Sequence, residues 1–541
     1  MMRSVLRLKP LPLRPSAAPN TKSIGTKRGV IAVACATVCA GGVTCLAVRS
    51  RTPAVSPQPS CRELAPTDPF AVLVGESPSA LQLIARVLSL AWIFAPLVVL
   101  YVFFGRHERH HAWWLRRAVR AVERAGPAFV KAGQWACTRH DLTSPAFRAA
   151  FGKLFSGVAP HSMEETKRAI ETEFQAPLDT VFSELDAEAV GSGSIGQVHR
   201  AVLRDGQREV AVKVLHPGVR DGIARDFLLL QKAAAALDFL FPAAFRHLEL
   251  PVQARVWGVY LASQLDLRVE GQNLRALCDN FAQTDYVQVP QPVRSTPSVL
   301  VQSFCEGQPA TPEYLATLPE ATRDIIAGKG INCYCKMLLR DNLVHGDLHP
   351  GNILVDARDP AAPVVSLLDV GLCLDLTPQE AANSRRLVAS FCSWDAQECV
   401  AAVLGMGSHQ RFADIPAFER SMHELFRQFK PEHPHAPGGG MENVLNGMFE
   451  CARAARVTMD PKNANLTFSV LVLEGFVNSL NRDFDMVTHA ASWLLPPAPT
   501  PSSVADTAAS FVATAAPIMA SALAVAAVMK AAVPRTTIAA A

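Results

Sequence analysis

Apolar residues along the chain follow helical spacing first and strand spacing afterwards. Between residues 109 and 185 they recur three and four positions apart, as in AVRAVERAGPAFV and EETKRAIETEF, which predicts helices. Between 186 and 215 the period changes to two, in VHRAVL and EVAVKVL on either side of Asp205-Gly206. This alternation around a turn predicts a β-hairpin, entered through the glycine-rich GSGSIG.

Helical spacing returns at 222–241 and around 252–280, and a strand-like PSVLVQSF occupies 297–304. The remainder is mostly helical and contains LVHGDLHPGNILV at 343–355 and SLLDVGL at 366–372. The order predicts a small β-rich lobe followed by a larger helical lobe with a dense polar loop.

Three uncharged segments are candidates for contact with a membrane. Val87–Phe104 lies between Arg86 and Arg106 and is long enough to cross a hydrocarbon core. A buried core helix is the alternative for this segment. Gly29–Val48 is only weakly hydrophobic, and Thr507–Met529 is Ala-rich, either a second membrane helix or a surface helix.

Composition narrows the class of protein. The chain has 541 residues, enough for one large domain with extensions or for two lobes. Its net charge of +4 gives no support to nucleic-acid binding. The 13 cysteines form no C-x-x-C pair, which argues against a zinc ribbon and fits a reducing compartment.

The N-terminus differs from the rest because no acidic residue precedes Glu63. Basic residues stud its first thirty positions, among them Arg3, Arg7, Lys9 and Arg14. An arginine-rich, acid-free start is typical of a mitochondrial or plastid transit peptide, and an unstructured basic tail is the alternative.

Four features in chain order match the requirements of phosphoryl transfer, namely a flexible loop, a cation, metal ligands and a carboxylate. The loop is VGSGSIGQV at 190–198, whose predicted nucleotide-binding residues are Gly191, Ser192, Gly193, Ser194, Gly196 and Gln197. Lys213 follows in the apolar strand EVAVKVL, where an unpaired lysine is costly, so a phosphate or carboxylate partner is expected.

Asp347 and Asn352 have the D-x-x-x-x-N spacing of a catalytic loop, in which Asp faces the attacking group and Asn reaches a metal. Asp369 ends a hydrophobic strand in D-V-G and is the second predicted magnesium ligand. These features predict ATP and Mg²⁺ as cofactors. HGDLHPGN also resembles the loop of aminoglycoside and choline phosphotransferases, so this pattern alone leaves the class open.

The segment GPAFVKAGQWACTRHDLTSP at 126–145 has no place in those small-molecule kinases. Its K-x-G-Q, together with SIGQVHRA, VAVKVLHPGV and QLDLRVEGQNL, resembles the UbiB or aarF-domain-containing (ADCK) family of atypical kinases. The resemblance spans about residues 110–490 and is nearest to the branch of aarF-domain-containing kinase 2.

The resemblance implies a protein-kinase-like fold with an N-terminal helical extension over the active site. It implies that Lys131 and Gln134 point into the nucleotide site and that Lys213 holds the phosphates and pairs with Glu270. It further implies membrane-associated ATPase or kinase activity that supports ubiquinone biosynthesis. A membrane lipid or quinone intermediate and ubiquinone-biosynthesis proteins are then the expected partners.

Two positions depart from the family pattern. The loop, usually Ala-rich, is Gly191-Ser192-Gly193-Ser194 here, and glycines relax the backbone, so we expect nucleotide handling closer to that of an ordinary kinase. Gln264 stands where a glutamate would pair with the K-x-G-Q lysine, so we expect the extension to be held less firmly.

The expected fold is α+β, a two-lobed kinase-like fold with a K-x-G-Q extension and a membrane-anchoring helix, placed in the mitochondrial inner membrane, or in a plastid if the source is photosynthetic. The expected segments are 1–60 targeting, 80–108 transmembrane, 109–185 extension, 186–308 N-lobe, 309–495 C-lobe and 500–541 Ala-rich tail. A nucleotide-binding pseudokinase scaffold and a small-molecule phosphotransferase remain alternatives.

Overall fold

The computed structural model of the protein describes residues 78–101, 108–140, 143–155, 159–242, 249–407, 410–429, 441–481 and 484–495. The expectations for the targeting region 1–60, for Gly29–Val48 and for the tail 500–541 lie outside these residues.

An all-helical region precedes the sheet. Its helices are α1 (Ala80–Leu100), α2 (Glu108–Ala125), α3 (Pro127–Thr138), α4 (Pro145–Phe151), α5 (Met163–Phe174) and α6 (Leu178–Val181), with a 3₁₀ turn at Gly152–Phe155. Ser79 and Gln82 form a capping box that begins α1, and Ser162 and Glu165 form one that begins α5.

Helix α1 is long and apolar enough to cross a membrane by length and composition. One of its faces packs on the protein, where Leu83 and Leu97 are buried. On the same helix Arg86 forms a bidentate ion pair with Asp226, at 2.7 and 2.6 Å. The opposite face leaves apolar side chains in the open, including Leu81 and Trp92, which are 79% and 80% exposed.

The small lobe is built on an antiparallel sheet. Its strands are β1 (Phe182–Leu185), β2 (Gly191–Ser192), β3 (Gly196–Leu203), β4 (Glu209–Leu215), β5 (Pro292–Ser295) and β6 (Val299–Ser303). The order is β1-β3-β4-β6-β5, with β2 pairing to β3. The predicted hairpin is therefore β3–β4, in which Val198 lies opposite Lys213.

The two faces of this sheet are covered by different helices. Between β4 and β6 lie α7 (Val219–Leu240), α8 (Leu250–Gln264) and α9 (Leu267–Phe281). Val210, Val212 and Val214 pack with Ile170 and Phe174 of α5, so the extension covers one face. Because side chains alternate along a strand, Lys213 points to the other face, toward α9.

The large lobe is mainly helical. Its helices are α10 (Pro312–Leu315), α11 (Glu320–Lys336), α12 (Pro378–Ser393), α13 (Ala396–Gly405), α14 (Ile415–Phe429), α15 (Met441–Ala454), α16 (Pro461–Leu480) and α17 (Met486–Leu494). Its short strands are β7 (Gln308–Pro309), β8 (Leu343–His345), β9 (Ile353–Asp356), β10 (Val364–Leu367) and β11 (Cys373–Asp375). β8 pairs with β11, and β9 lies between β7 and β10, so the predicted polar loop is framed by short ladders.

One local prediction was wrong. The helical pattern of 109–185 ends in strand β1, because Phe182 packs into the sheet core beside Phe174. The helical pattern around 252–280 is confirmed and comprises two helices, α8 and α9. Asp266 begins α9 by accepting a hydrogen bond from the Arg268 backbone N–H at 3.0 Å, which interrupts the helical run.

Candidate functional site

Three charged side chains from three separate elements meet between the lobes. The Lys213 Nζ donates to both Glu270 carboxylate oxygens, at 3.0 and 2.8 Å, and to Asp369 Oδ1 at 2.8 Å. We call these residues the charged triad. The Glu270 side chain is 3% exposed and the Asp369 side chain is 50% exposed, so Glu270 is shielded from solvent and Asp369 is accessible to it.

The backbone geometry brings the three side chains of the charged triad together. Lys213 lies opposite Leu300 in the ladder between β4 and β6. Glu270 comes from α9, which approaches the sheet closely at Gly271, where a Cβ would come within 2.7 Å of the Ser295 side chain. Asp369 follows β10 with φ of +50°, a conformation rare for non-glycine residues that is often found at functional sites.

Burial and mutual charge shift the protonation of the triad. Burial raises the pKa of Glu270 to about 7, against the opposing effect of Lys213. The lobes around the half-exposed Asp369 also displace some of its water, which acts to raise its pKa, yet Lys213, followed by Lys131, holds that pKa well below its usual range. Burial acts to lower the pKa of Lys213, but Asp369 and Glu270 outweigh it and raise that pKa, so the lysine stays charged.

The catalytic loop predicted at HGDLHPGN is tied to the strand that carries Asp369. His345 is buried and its Nε2 contacts the Leu368 carbonyl at 3.0 Å, while its Nδ1 accepts from the Asp347 backbone N–H at 3.2 Å. A carbonyl can only accept, so the hydrogen of His345 lies on Nε2. Burial lowers the pKa of His345, in keeping with this neutral form.

Asn352 is fixed by its own loop. Its Nδ2 donates to the Asp347 carbonyl at 2.9 Å, which leaves the amide oxygen as the group available to a ligand. The Leu368 backbone N–H donates to the Asn352 carbonyl at 2.8 Å. Asp347 of the predicted catalytic loop and the predicted metal ligand Asn352 are therefore joined in one hydrogen-bonded turn beside Asp369.

The Gly-rich loop is a tight turn between β2 and β3. Gly193 N–H donates to the Gly196 carbonyl at 2.9 Å, and Ser192 pairs with Gln197 across the turn. A Cβ on Gly196 would lie 2.5 Å from the Val214 carbonyl oxygen, whereas one on Gly191 would meet nothing within 4 Å. Packing therefore demands glycine at 196, while the glycines at 191 and 193 have room for a methyl group.

Lys131 and Gln134 of the K-x-G-Q segment differ in the contacts that they make. Within the described part of the chain Lys131 makes no hydrogen bond or ion pair, yet its charge helps to lower the pKa of Asp369 and opposes the rise in the pKa of Glu270, so it lies near the triad. Gln134 donates to the Leu154 carbonyl at 2.8 Å and thus holds the extension together. Its role in nucleotide binding stays a prediction.

Gln264 borders the site, as its Cγ is 3.8 Å from the position of a Cβ on Gly371. The same position lies 3.4 Å from Asp369 Oδ1 and 3.5 Å from Glu270 Oε2. The residue that departs from the family pattern therefore adjoins both carboxylates of the charged triad.

The donor set fits magnesium rather than a zinc-like metal. Among the described residues, no group of three or more His, Cys, Asp or Glu could hold a metal ion alone. Asp369 and the Asn352 amide oxygen are hard oxygen donors, and Mg²⁺ commonly takes one or two carboxylates together with substrate phosphates. The site therefore fits a metal that arrives with a nucleotide.

Sequence reasoning missed polar residues around this cleft. Gln302 pairs with Ala211 across β4 and β6, so it shares the sheet face of Lys213, and it is 8% exposed. Its Oε1 has no hydrogen-bond partner among the described residues. The presence of this polar residue in the largely apolar, strand-like VLVQSF was the sequence feature that could have identified Gln302. Sequence reasoning also missed the roles of His161, His199 and His216. His199 and His216 lie within SIGQVHRA and VAVKVLHPGV, but the sequence gives no indication of the groups that they contact.

Comparison with known proteins identifies the domain. Residues 153–403 match the ABC1 atypical kinase-like domain. The ABC1 family protein C21C3.03, mitochondrial, of Schizosaccharomyces pombe is 25% identical, over 78% of this chain and 72% of its own length. A probable protein kinase UbiB of Shewanella oneidensis is 27% identical, over 71% of this chain and 72% of its own.

Among solved structures, the Rv3197–erythromycin complex from Mycobacterium tuberculosis is 22% identical, with a TM-score of 0.48 over 67% of this chain and 91% of its own. The family match confirms the predicted resemblance and the predicted kinase-like α+β fold class.

Proposed function

We propose that the chain, whose residues 153–403 match the ABC1 atypical kinase-like domain and which is similar to UbiB kinases, binds Mg²⁺–ATP in the cleft and turns it over. The observation that supports this most strongly is the charged triad. A lysine paired with a buried carboxylate on one helix and an open carboxylate after a strand is the arrangement that phosphoryl transfer requires.

Each residue has a role in this proposal. Lys213, held by Glu270, pairs with the nucleotide phosphates, and the Gly-rich loop donates backbone N–H groups to them. Asp347 accepts the proton of the attacking hydroxyl or water. Asn352 and Asp369 would hold Mg²⁺, and the bound ion would supply neutralisation of charge on the phosphate oxygens.

Lys131 places a second positive charge near the same carboxylates. In our proposal it contacts the nucleotide phosphates from the side of the extension, which leaves no room for a bulky protein substrate in the cleft. Gln134 supports this segment through its bond to Leu154.

We propose that the protein works in mitochondria, at the inner membrane. The acid-free N-terminus supports this, as does the relative from Schizosaccharomyces pombe named mitochondrial. Helix α1, with its exposed apolar face, would associate with the bilayer. A role in ubiquinone biosynthesis is proposed from the UbiB relatives, with a quinone intermediate or lipid as the coupled ligand.

The test is ATP hydrolysis by the full-length chain in liposomes, with and without cardiolipin and soluble quinone-head-group mimics. Asp347→Asn is the matched control, because it keeps the shape of the loop and removes the carboxylate. We expect Mg²⁺-dependent turnover that rises with the membrane and falls at least about 100-fold in the control.

Other outcomes lead to the alternatives. Nucleotide binding without turnover under every condition would replace this proposal by a pseudokinase scaffold. A phosphorylated alcohol or amine formed at the expense of ATP would identify a small-molecule phosphotransferase.

A further inference from the structure

A second polar cluster joins the extension to the Gly-rich loop. His161 lies just before α5, and His216 lies just after β4. Their Nδ1 atoms are 2.7 Å apart and their rings are nearly perpendicular, at 84°. An N–H···N hydrogen bond at this distance requires that one ring donates and the other accepts.

Both residues of this pair are bonded to the Gly-rich loop. The His216 backbone N–H donates to the Ile195 carbonyl at 2.8 Å, and Gln197 Nε2 donates to the His161 carbonyl at 3.3 Å. His216 Nε2 contacts the Gly193 carbonyl at 2.9 Å. The His161 backbone N–H donates to Gln197 Oε1 at 2.8 Å. The loop that would cover the nucleotide is thus fastened to the chain segment that begins α5.

A buried layer of polar groups continues the network. Thr166 Oγ1 is 3.0 Å from His161 Nε2, and Gln197 Nε2 is 3.0 Å from Thr166 Oγ1 and 2.9 Å from His199 Nε2. His199 Nδ1 contacts the Asp186 carbonyl at 2.8 Å. Gln197 and His199 are each 1% exposed, so their hydrogen bonds must be met within the protein.

With the histidines neutral, the carbonyl partners determine the proton positions. Carbonyls only accept, so the hydrogens lie on His216 Nε2 and His199 Nδ1. His216 Nδ1 then accepts from His161, whose own Nε2 accepts from the Thr166 hydroxyl. The Gln197 amide donates to His199 and Thr166. This one assignment satisfies every member of the network.

We propose that His161 and His216 are positioning residues that hold the Gly193 carbonyl and keep the Gly-rich loop in its nucleotide-receiving conformation. This inference rests on the proposed nucleotide function. We call His161, His216 and the Gly193 carbonyl the histidine latch. The latch couples the loop to the extension, so the two move together.

The loop needs such a restraint because its tip has few contacts of its own. A Cβ on Gly191 would meet nothing within 4 Å, and one on Gly193 would meet only the Gly196 carbonyl, at 3.8 Å. A loop already held in its binding conformation loses less entropy when nucleotide arrives. Releasing the latch should therefore weaken nucleotide binding.

The latch should also depend on pH. The facing Nδ1 atoms can share one proton but cannot carry two, so the latched state excludes the doubly protonated pair. Burial, with His216, lowers the pKa of His161, while Glu165 of α5 acts to raise it and His199 of β3 to lower it. The latch is therefore complete above the ordinary histidine pKa of about 6.5, weakens as the pH falls below that value, and is lost as the pH falls through the lowered pKa of His161.

The experiment measures the dissociation constant of a non-hydrolysable Mg²⁺–ATP analogue for the full-length protein at pH 7.5 and 5.5. The variants are His161→Ala, which removes the donor, and His161→Asn, which places an amide donor at the position of Nδ1 and does not titrate. His423→Asn, on the exposed face of α14, is the control for the change of side chain.

We expect His161→Ala to weaken binding about three- to tenfold at pH 7.5 and His161→Asn to retain most of the affinity. Lowering the pH from 7.5 to 5.5 should weaken binding to the wild type more than binding to His161→Asn, by about the same three- to tenfold factor. Titration of the analogue itself affects both proteins equally and therefore cancels in this comparison. His423→Asn should follow the wild type. Equal pH dependence in the wild type and His161→Asn, or unchanged affinity in His161→Ala, would overturn the inference.

Hydrogen exchange of the segments 159–166 and 190–198 separates this inference from the proposed function, because it needs no nucleotide. Corrected for intrinsic rates, exchange in both segments should quicken together in His161→Ala and in the wild type at pH 5.5. Quickened exchange without nucleotide binding in any form would refute the proposed function alone. Unchanged exchange would refute the latch.

Discussion

The charged triad and the histidine latch both join separate elements beside the same sheet, but they differ in charge and in how their buried polar groups are paired. The triad brings together one cation and two carboxylates, and one of these, Asp369, stays half-exposed. The latch has no net charge, and each of its polar groups finds a partner within the protein. The difference indicates that the triad is open to a ligand, whereas the latch is complete without one.

The largest effect should come from removing the cation of the triad. Lys213→Met should lower ATP turnover at least about 100-fold, because the phosphates lose their partner. It also leaves the buried Glu270 uncompensated, which should destabilise the fold by about 3 kcal/mol.

The double variant Lys213→Met, Glu270→Gln separates these effects, as measured by turnover and thermal melting. Stability should return in the double variant and turnover should not. Recovery of turnover with the glutamine would exclude Lys213 from phosphate binding.

The next effect concerns the loop that adjoins both clusters. Gly196→Ala would bring a Cβ to 2.5 Å from the Val214 carbonyl oxygen, so a strand must shift. We expect a loss of about 2 kcal/mol of stability, seen as a melting midpoint several degrees lower. Gly152→Ala, with nothing within 4 Å of its Cβ, is the control, and equal midpoints in both variants would contradict the packing.

A smaller effect is expected from restoring an anion beside the triad. Gln264→Glu should give Lys131 a partner and make the segment 126–145 several-fold more resistant to limited proteolysis. Gln291→Glu, an exposed position, adds the same charge away from the cleft and should change nothing. If the protease sensitivity of the segment 126–145 were the same in Gln264→Glu as in the wild type, Lys131 would be held by other means.

The smallest effect should follow Gly191→Ala with Gly193→Ala. Both positions have room for a methyl group, so stability should hold or rise slightly. The stiffer loop should change nucleotide affinity by about threefold and alter its Mg²⁺ dependence. Calorimetric titration of the variant with ATP, with and without Mg²⁺, measures this, and identical curves would remove the support for a special role of these glycines.

The triad was largely predictable from the sequence and the latch was not. Lys213 and Asp369 of the triad, like the neighbouring Asp347 and Asn352, each lie in a short segment whose spacing is characteristic of its chemistry. Glu270 required the family resemblance, because a glutamate within a helical run has no distinguishing neighbours. His161 and His216 are far apart in sequence, and their contact depends on how α5 packs on the sheet.

Local structure shows the same limit. The hairpin β3–β4 was predictable from the alternation of its apolar and polar residues and from its turn. Strand β1 was not, because four residues are too few for apolar spacing to distinguish a strand from a helix. The break between α8 and α9 was foreseeable from Asp266, a good N-cap residue. The apolar length of α1 was evident, but its ion pair with α7 through Arg86 depends on tertiary packing.

Binding of ATP to the full-length protein, measured by calorimetry with and without Mg²⁺ for the wild type and Asp369→Asn, tests the central claim most directly. We predict that the wild type binds ATP more tightly with Mg²⁺ and that Asp369→Asn loses this dependence while still binding the nucleotide. Mg²⁺ dependence that survives in Asp369→Asn, or a wild type that binds no ATP at all, would contradict a magnesium–nucleotide site at the charged triad.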